Sequence, residues 1–156
     1  TLAAHIGSRD EQRVRKIVYL APAGPQPHYP VSLFKRIGFL YKWAATRKVI
    51  FPTSRAIFKM MGYPSYLSDE ERCFATLDAG ETDFELHSKN LSQTKQESMV
   101  AWAHNDPITA PKFFKALEEL VPAGPRMAFD EGGHNIQKSK AIELGEQIIP
   151  FFNSDA

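Results

Sequence analysis

Residues 127–135 read Met-Ala-Phe-Asp-Glu-Gly-Gly-His-Asn, an apolar run that ends in two glycines and a histidine. Two successive glycines let the backbone turn sharply without steric cost, and Asn135 can open a helix directly afterwards. The stretch therefore predicts a strand over residues 126–129 that presents His134 at its tip. We take His134 as the first candidate for chemistry, with an inert loop histidine as the alternative.

Two more short apolar runs predict the other strands of a sheet. Residues 17–21 read Ile-Val-Tyr-Leu-Ala, residues 98–103 read Ser-Met-Val-Ala-Trp-Ala, and turn-forming residues close both runs. Nearly continuous apolar runs are typical of strands buried on both faces, as in a parallel sheet. Helical patterns separate the three strands and follow the last one, which is the rhythm of right-handed βαβ units. The sequence therefore predicts an α/β fold with three parallel strands and flanking helices.

Helical spacing and capping signals predict the remaining elements. Ser68 and Glu71 form a capping box at the start of a helix that we expect to end near Leu77. The closing helix is expected to cover residues 136–152 and to bury Ile142, Ile148, Ile149 and Phe152. Further helices are predicted over residues 1–6, 31–44, 50–61 (with Pro52 near its start), 82–91 and 110–120.

Asp106 follows the second predicted strand as His134 follows the third. In a parallel α/β sheet the ligand site lies outside the carboxyl ends of the strands. The two residues are 28 positions apart, which is enough for one crossover helix and one strand, so they fall at neighbouring strand tips. An aspartate beside a histidine fixes the imidazole tautomer and stabilises the imidazolium, as a general base requires. Asp106 alone fits an ordinary helix start, but the pair at matching tips favours chemistry.

Three further residues are candidate substrate-binding positions. His28 and Tyr29 lie in the proline-rich loop 24–30 that leaves the first strand, and Pro107 restrains the loop of Asp106. A surface turn is the alternative for the first loop. Basic and aromatic side chains alternate along the predicted helices of residues 31–61, and this pattern fits either an ordinary solvated face or a cap over a cavity.

The composition of the chain restricts the partners, the cellular location and the cofactors that we expect. A chain of 156 residues with 43% apolar content is one domain or part of one, and 19 Lys plus Arg balance 18 Asp plus Glu, so we expect neither nucleic acid nor a membrane surface as partner. No apolar run approaches the roughly 20 residues that span a bilayer. The single cysteine, Cys73, is interpreted as a small core residue and fits a reducing, cytoplasmic location. We expect no cofactor and no metal, because His104, Asp106 and His134 match no recognised ligand spacing.

The order of these motifs resembles the C-terminal half of an α/β-hydrolase. The resemblance rests on Pro-Ala-Gly at 22–24, on Val-Ala-Trp-Ala-His-Asn-Asp-Pro-Ile at 100–108 and on Gly-Gly-His at 132–134, and it covers essentially the whole chain. Within that superfamily the Pro-Ala-Gly loop and the Gly-Gly-His-Asn-Ile-Gln-Lys ending look most like a branch known from nematode and related sequences. The resemblance implies one partial α/β-hydrolase domain over residues 1–156, with residues 25–92 as cap helices inserted between the first two strands.

The resemblance also implies that Asp106 and His134 are the acid and the base of a Ser-Asp-His triad. The family places its nucleophile in a G-x-S-x-G turn, which would lie upstream of Thr1, and Ser8 lacks the strand before it and the glycine after it. A base with no serine to activate leaves hydrolysis without its central step, so activity of these residues alone stays open.

Two functions therefore remain. The first is the C-terminal part of a serine hydrolase acting on a small apolar ester-like molecule. The alternative is a non-catalytic pseudo-hydrolase or interaction module that binds a small apolar ligand or a partner chain, or that self-associates through an exposed sheet edge.

Overall fold

The computed structural model describes residues 2–27, 36, 44–60, 63 and 65–154. The chain forms two compact units, one of Thr1–Gln26 with Phe84–Ala156 and one of Pro27–Asp83. The first unit holds the sheet. In chain order the elements are α1 (Leu2–Gly7), β1 (Lys16–Leu20), α2 (Ala44–Met60), α3 (Asp69–Gly80), α4 (Phe84–Ser92), β2 (Glu97–Ala103), α5 (Pro111–Leu120), β3 (Arg126–Phe129), α6 (Ile136–Ser139) and α7 (Ala141–Asn153).

All three predicted strands are confirmed, and they form a parallel sheet in the order β1-β2-β3. Leu20 lies opposite Ala101, and Ala103 lies opposite Phe129. The central strand β2 buries every residue after Glu97, as a strand covered on both faces should. The same expectation is wrong for β1, whose burial alternates, because this strand forms one edge of the described sheet and its second face is only partly covered.

Each face of the sheet carries its own apolar core. On one face Trp102 lies in the core. Its indole stacks on Phe114 with ring centroids 5.2 Å apart, and its Nε1–H donates to Glu118 at 2.9 Å. The other core members on this face come from α1, α4, α5 and the strands: Ala4, Ile17, Tyr19, Leu91, Val100, Leu117 and Val121. The opposite face packs strand residues against α6 and α7 through Ala21, Met99, Ala101, Ala103, Ile136, Leu144 and Phe151.

The closing helix differs from its prediction in two ways. It is interrupted at Lys140, whose backbone (φ −125°, ψ 30°) separates α6 from α7. The break shifts the helical phase, so Leu144 and Phe151, seven residues apart, face the sheet. The predicted buried set is wrong for three residues, since Ile142, Ile149 and Phe152 are 77%, 64% and 54% exposed, whereas Ile148 packs partly buried.

The unit of residues 27–83 is helical in its described part. The capping box is confirmed: Ser68 Oγ accepts from the Glu71 amide at 3.2 Å, and Glu71 Oε2 accepts from the Ser68 amide at 2.7 Å. The helix it starts, α3, continues to Gly80 instead of ending near Leu77, because its polar last turn keeps helical hydrogen bonds. Cys73 is only half-buried on α3, so its interpretation as a core residue is too strong.

Helix α2 begins before its predicted start, so Pro52 lies inside the helix. The helix predicted over residues 31–44 falls almost entirely outside the described residues. Asp69 joins α2 to α3, because its carboxylate accepts from Arg55 Nε and from Arg72 Nη2, both at 2.9 Å. These hydrogen bonds, the Arg55 bond foremost, lower the pKa of Asp69 to about 2. No helix in the described part of the chain is long and apolar enough to cross a membrane.

Candidate active site

The acid and base candidates follow neighbouring parallel strands. The amide of His104 donates to the carbonyl of Phe129 at 2.8 Å, which extends the β2-β3 ladder one step past Ala103. The loop after β2 and the loop after β3 therefore leave the sheet at the same end, the carboxyl end of its strands. Asp106 lies in the first of these loops and His134 in the second.

The structure brings Asp106 and His134 into direct contact. His134 Nδ1 lies 2.8 Å from Asp106 Oδ2. An ionised carboxylate only accepts hydrogen bonds, so Nδ1 carries the proton and donates it, and Nε2 is left as the basic nitrogen. The Asp106 side chain is fully buried, whereas the His134 side chain is 25% exposed. The pair thus joins a buried carboxylate to an imidazole that reaches solvent.

Asp106 is held by its own loop as well as by His134. Its Oδ1 accepts from the amides of Ile108 at 2.8 Å and Thr109 at 3.0 Å. Burial alone would raise the pKa of Asp106, but the hydrogen bonds from His134, Thr109 and Ile108 together outweigh burial and lower that pKa from its ordinary value. The carboxylate is therefore ionised and oriented when His134 binds it. Pro107 is exposed beside this turn, and its predicted contact with substrate stays a prediction.

The predicted role of glycine in the backbone turn before His134 is confirmed at Gly133 but not at Gly132. Gly133 adopts φ +66°, a left-handed conformation that side chains other than glycine rarely take. At Gly132 a Cβ atom would lie 3.2 Å from Ile136 Cγ2 and 3.4 Å from Ala103 Cβ. The turn before His134 therefore depends on glycine at position 133, whereas a side chain at position 132 would be in tight contact with Ile136.

Asn105 joins the two loops, and sequence reasoning missed it. Its Oδ1 accepts from the amide of Gly132 at 3.0 Å and from the amide of Gly133 at 2.8 Å. The available signal was an amide side chain next to the candidate acid, but asparagine is common in any turn. Only the folded chain shows that this amide reaches the neighbouring loop.

The other candidates lie elsewhere. His28 and Tyr29 are outside the described residues, so their predicted place at a substrate mouth stays a prediction. Ser8 is engaged away from the pair, because its hydroxyl donates to the His5 carbonyl at 3.1 Å. The exposed His104 packs edge-on against Trp102, with ring centroids 4.6 Å apart.

Among the described residues, no group of three or more His, Cys, Asp or Glu side chains is arranged to hold a metal ion. The Asp106 carboxylate oxygens accept hydrogen bonds from one imidazole and two backbone amides.

Comparison with known proteins shows which solved structures share the fold of this chain. No protein-family model and no curated protein sequence matches the chain. Solved structures do match. An enol-lactonase from Burkholderia xenovorans LB400 is 11% identical with a TM-score of 0.67, and the alignment covers 97% of this chain and 61% of that one. An α/β-hydrolase enzyme from a Medee basin deep-sea metagenome library is 12% identical with a TM-score of 0.69, covering 99% and 62%.

A thermophilic esterase from Thermogutta terrifontis is similar to the same degree, with 12% identity, a TM-score of 0.67 and coverage of 97% and 60%. The chain thus spans about three-fifths of the length of each of these structures. Three parallel strands with flanking helices and these similarities define a partial α/β-hydrolase fold. At such low identities the likeness establishes the fold alone.

Proposed function

We propose that this chain supplies the acid and the base of a serine hydrolase, with Asp106 orienting His134 and His134 acting as general base. The observation that carries the proposal is the 2.8 Å contact between His134 Nδ1 and Asp106 Oδ2, made to a carboxylate whose other oxygen is held by two amides. The proposal thus rests on a buried carboxylate held by its own loop beneath an imidazole that is 25% exposed.

The geometry supports proton transfer at the outer nitrogen of the imidazole. With Nδ1–H bound to Asp106, Nε2 of His134 takes the proton of a serine hydroxyl as its oxygen attacks the ester carbonyl. Asp106 stabilises the imidazolium, and Nε2 then gives that proton to the leaving alcohol as the acyl-enzyme forms. A water molecule then attacks the acyl-enzyme and gives its proton to Nε2 of His134. Nε2 passes this proton to the serine oxygen, which releases the carboxylic acid product and regenerates the serine.

The nucleophile in this proposal lies outside these 156 residues, ahead of them in the superfamily order of serine, acid and histidine. The solved structures extend well beyond the part matched by this chain, which leaves room for such a serine in a longer protein. Within the chain, the Ser8 and Ser139 hydroxyls donate to the backbone carbonyls of His5 and Gly132.

The proposal extends to the substrate, the cap, the branch of the superfamily and the cellular location. A small apolar ester-like substrate fits the enol-lactonase and esterase named among the structural neighbours. We propose that residues 25–92 act as a cap that shapes its pocket, as the resemblance implies. Kinship with the nematode-type branch rests on the loop motifs alone, and a cytoplasmic location rests on the single cysteine.

Hydrolysis of a chromogenic p-nitrophenyl ester tests the proposal, in a form that carries the sequence encoded ahead of Thr1. His134→Ala is compared with His104→Ala, a matched control because His104 lies at the same sheet edge but packs on Trp102. We expect His134→Ala to lower kcat by on the order of 10⁴-fold and His104→Ala to leave it unchanged. Equal losses in both variants, or no hydrolysis by the unaltered protein, would defeat the proposal.

A second candidate is a non-catalytic interaction module. It is favoured by β1 forming an edge of the described sheet and by the exposed apolar residues Ile142, Ile149 and Phe152 on α7. Light scattering on the 156-residue chain tests this reading. Concentration-dependent dimers would support it, and a stable, well-folded monomer would exclude the edge-pairing version.

A further inference from the structure

We propose that Asn105 is a positioning residue that fixes the His134 loop relative to Asp106. The inference rests on the proposed function, in which His134 is the base, but the contacts that carry it stand independently. Asn105 directly precedes the acid, and Gly133 directly precedes the base. One side chain therefore connects the positions next to both members of the pair.

The geometry is a double hydrogen bond to one oxygen. The amides of Gly132 and Gly133 both point at Asn105 Oδ1, at 3.0 Å and 2.8 Å. Two successive amides that converge in this way, with Gly133 at φ +66°, form a concave donor pair that favours a single acceptor. Asn105 supplies that acceptor from the neighbouring loop.

The two loops are consequently joined twice, once through Asn105 and once through the contact of Asp106 with His134. A single hydrogen bond between side chains would let the His134 backbone pivot, because the turn before it contains two glycines. The Asn105 bonds remove this freedom at the residue where the chain enters His134. They orient the imidazole without touching it.

Asn105 is exposed, so its truncation should spare the fold. The ladder bond between His104 and Phe129 keeps the strands paired, and Ser139 Oγ, which donates to the Gly132 carbonyl at 2.6 Å, still closes the glycine turn. The effect of Asn105→Ala is therefore expected at His134 rather than in global stability.

Nitrogen-15 NMR of the His134 ring in the 156-residue chain tests the inference. The unaltered chain is expected to show an Nδ1-protonated tautomer and a low-field Nδ1–H signal protected from exchange. Asn105→Ala should lose this signal and give a mixture of tautomers. Asn105→Asp should keep both features, because a carboxylate oxygen also accepts from two amides.

Gln137→Ala is the matched control, since it truncates another exposed amide three residues after His134. It should leave the His134 signals unchanged. Should Asn105→Ala fail to fold, Asn105→Ser serves instead, because its shorter hydroxyl does not reach both glycine amides. Retention of the protected Nδ1–H in the truncated variant, or its loss in Asn105→Asp, would overturn the inference.

Kinetics separates this inference from the proposed function. In a form that hydrolyses esters, Asn105→Ala should lower kcat by about 10²-fold with little change in KM, as a misplaced catalytic group does, and Asn105→Asp should restore most of the rate. The NMR readout needs no nucleophile. Absent hydrolysis with the expected NMR changes would defeat the proposed function alone, and normal hydrolysis with unchanged NMR in Asn105→Ala would defeat the inference alone.

Discussion

Replacing Asp106 by asparagine separates the two tasks of its carboxylate. The asparagine side chain keeps an oxygen where Oδ1 accepts from the amides of Ile108 and Thr109. Its NH2 group then faces His134 Nδ1 in place of Oδ2. Because this NH2 group only donates, the imidazole must turn Nδ1 into an acceptor and move its proton to Nε2. The base of the proposed mechanism would thereby lose its free nitrogen.

The magnitudes follow from the contacts that each variant loses. Asp106→Asn exchanges a hydrogen bond to a charged group, worth about 1.5–3 kcal/mol, for a neutral one of about 0.5–1.5 kcal/mol, so it should destabilise by about 1–2 kcal/mol. Asp106→Ala also leaves two amides without an acceptor, and Thr109 is 1% exposed. At about 1–3 kcal/mol for each amide, the two amides add about 2–6 kcal/mol to the loss of the His134 hydrogen bond.

Urea unfolding at neutral pH measures both losses, and nitrogen-15 NMR of His134 in the same samples reads the tautomer. We expect Asp106→Ala to be the less stable variant and Asp106→Asn to show protonated Nε2. The reasoning is refuted if the two variants are equally stable, or if His134 in Asp106→Asn still carries its proton on Nδ1.

Three further predictions concern pH, capping and close packing. The folded chain holds the pKa of Asp106 below its ordinary value. The contribution of the ionised carboxylate to the free energy of unfolding is therefore present above the unfolded pKa of about 3.9 and is lost as pH falls through the folded pKa. Urea unfolding between about pH 5 and pH 3 should show the unaltered chain losing stability faster than Asp106→Asn. Ser68→Ala should lower thermal stability by about 1 kcal/mol, because it removes the α3 cap, and an unchanged melting temperature would contradict this. Gly124→Ala should destabilise the fold by about 1–3 kcal/mol, since its Cβ would lie 2.6 Å from the Ser98 carbonyl oxygen. Gly145→Ala, with open space around its Cβ, should instead stabilise the fold by about 0.5–1 kcal/mol in the same denaturation assay. Equal effects of the two substitutions would refute this reasoning.

Strands and their parallel order are predictable from the sequence because local patterns encode them. The run at 98–103 has the composition of a fully covered strand, and the structure buries it on both faces. The run at 17–21 looks alike but lies at the edge of the described sheet, and burial at an edge depends on neighbours that the run itself does not specify. Composition thus predicts the strand but not its place in the sheet.

Helix phase and helix ends are less predictable than helix existence. The break at Lys140 has no proline or glycine to mark it, so a single helical wheel placed Ile142 and Ile149 on the buried side. The predicted end of α3 near Leu77 is too early, because Asp78 and Ala79 are tolerated in the last helical turn when its hydrogen bonds are made. Tertiary packing decides such cases, and packing is not visible in a local window.

The proximity of Asp106 and His134 is predictable because strand tips of a parallel sheet converge. That geometry places Asp106 near His134 from the pattern alone, and the structure shows the two in contact. Asn105 was not predictable, because its role depends on which way its side chain points across a gap between loops. Side-chain direction in a turn is set by the folded backbone rather than by residue type.

Covalent labelling by a fluorophosphonate probe tests the central claim most directly. The form that carries the sequence ahead of Thr1 is treated with the probe, next to its His134→Ala and His104→Ala variants, and the modified residue is located by mass spectrometry. We predict labelling of one serine outside the 156 residues, lost in His134→Ala and retained in His104→Ala. Labelling that persists without His134, or no labelling at all, would contradict the account.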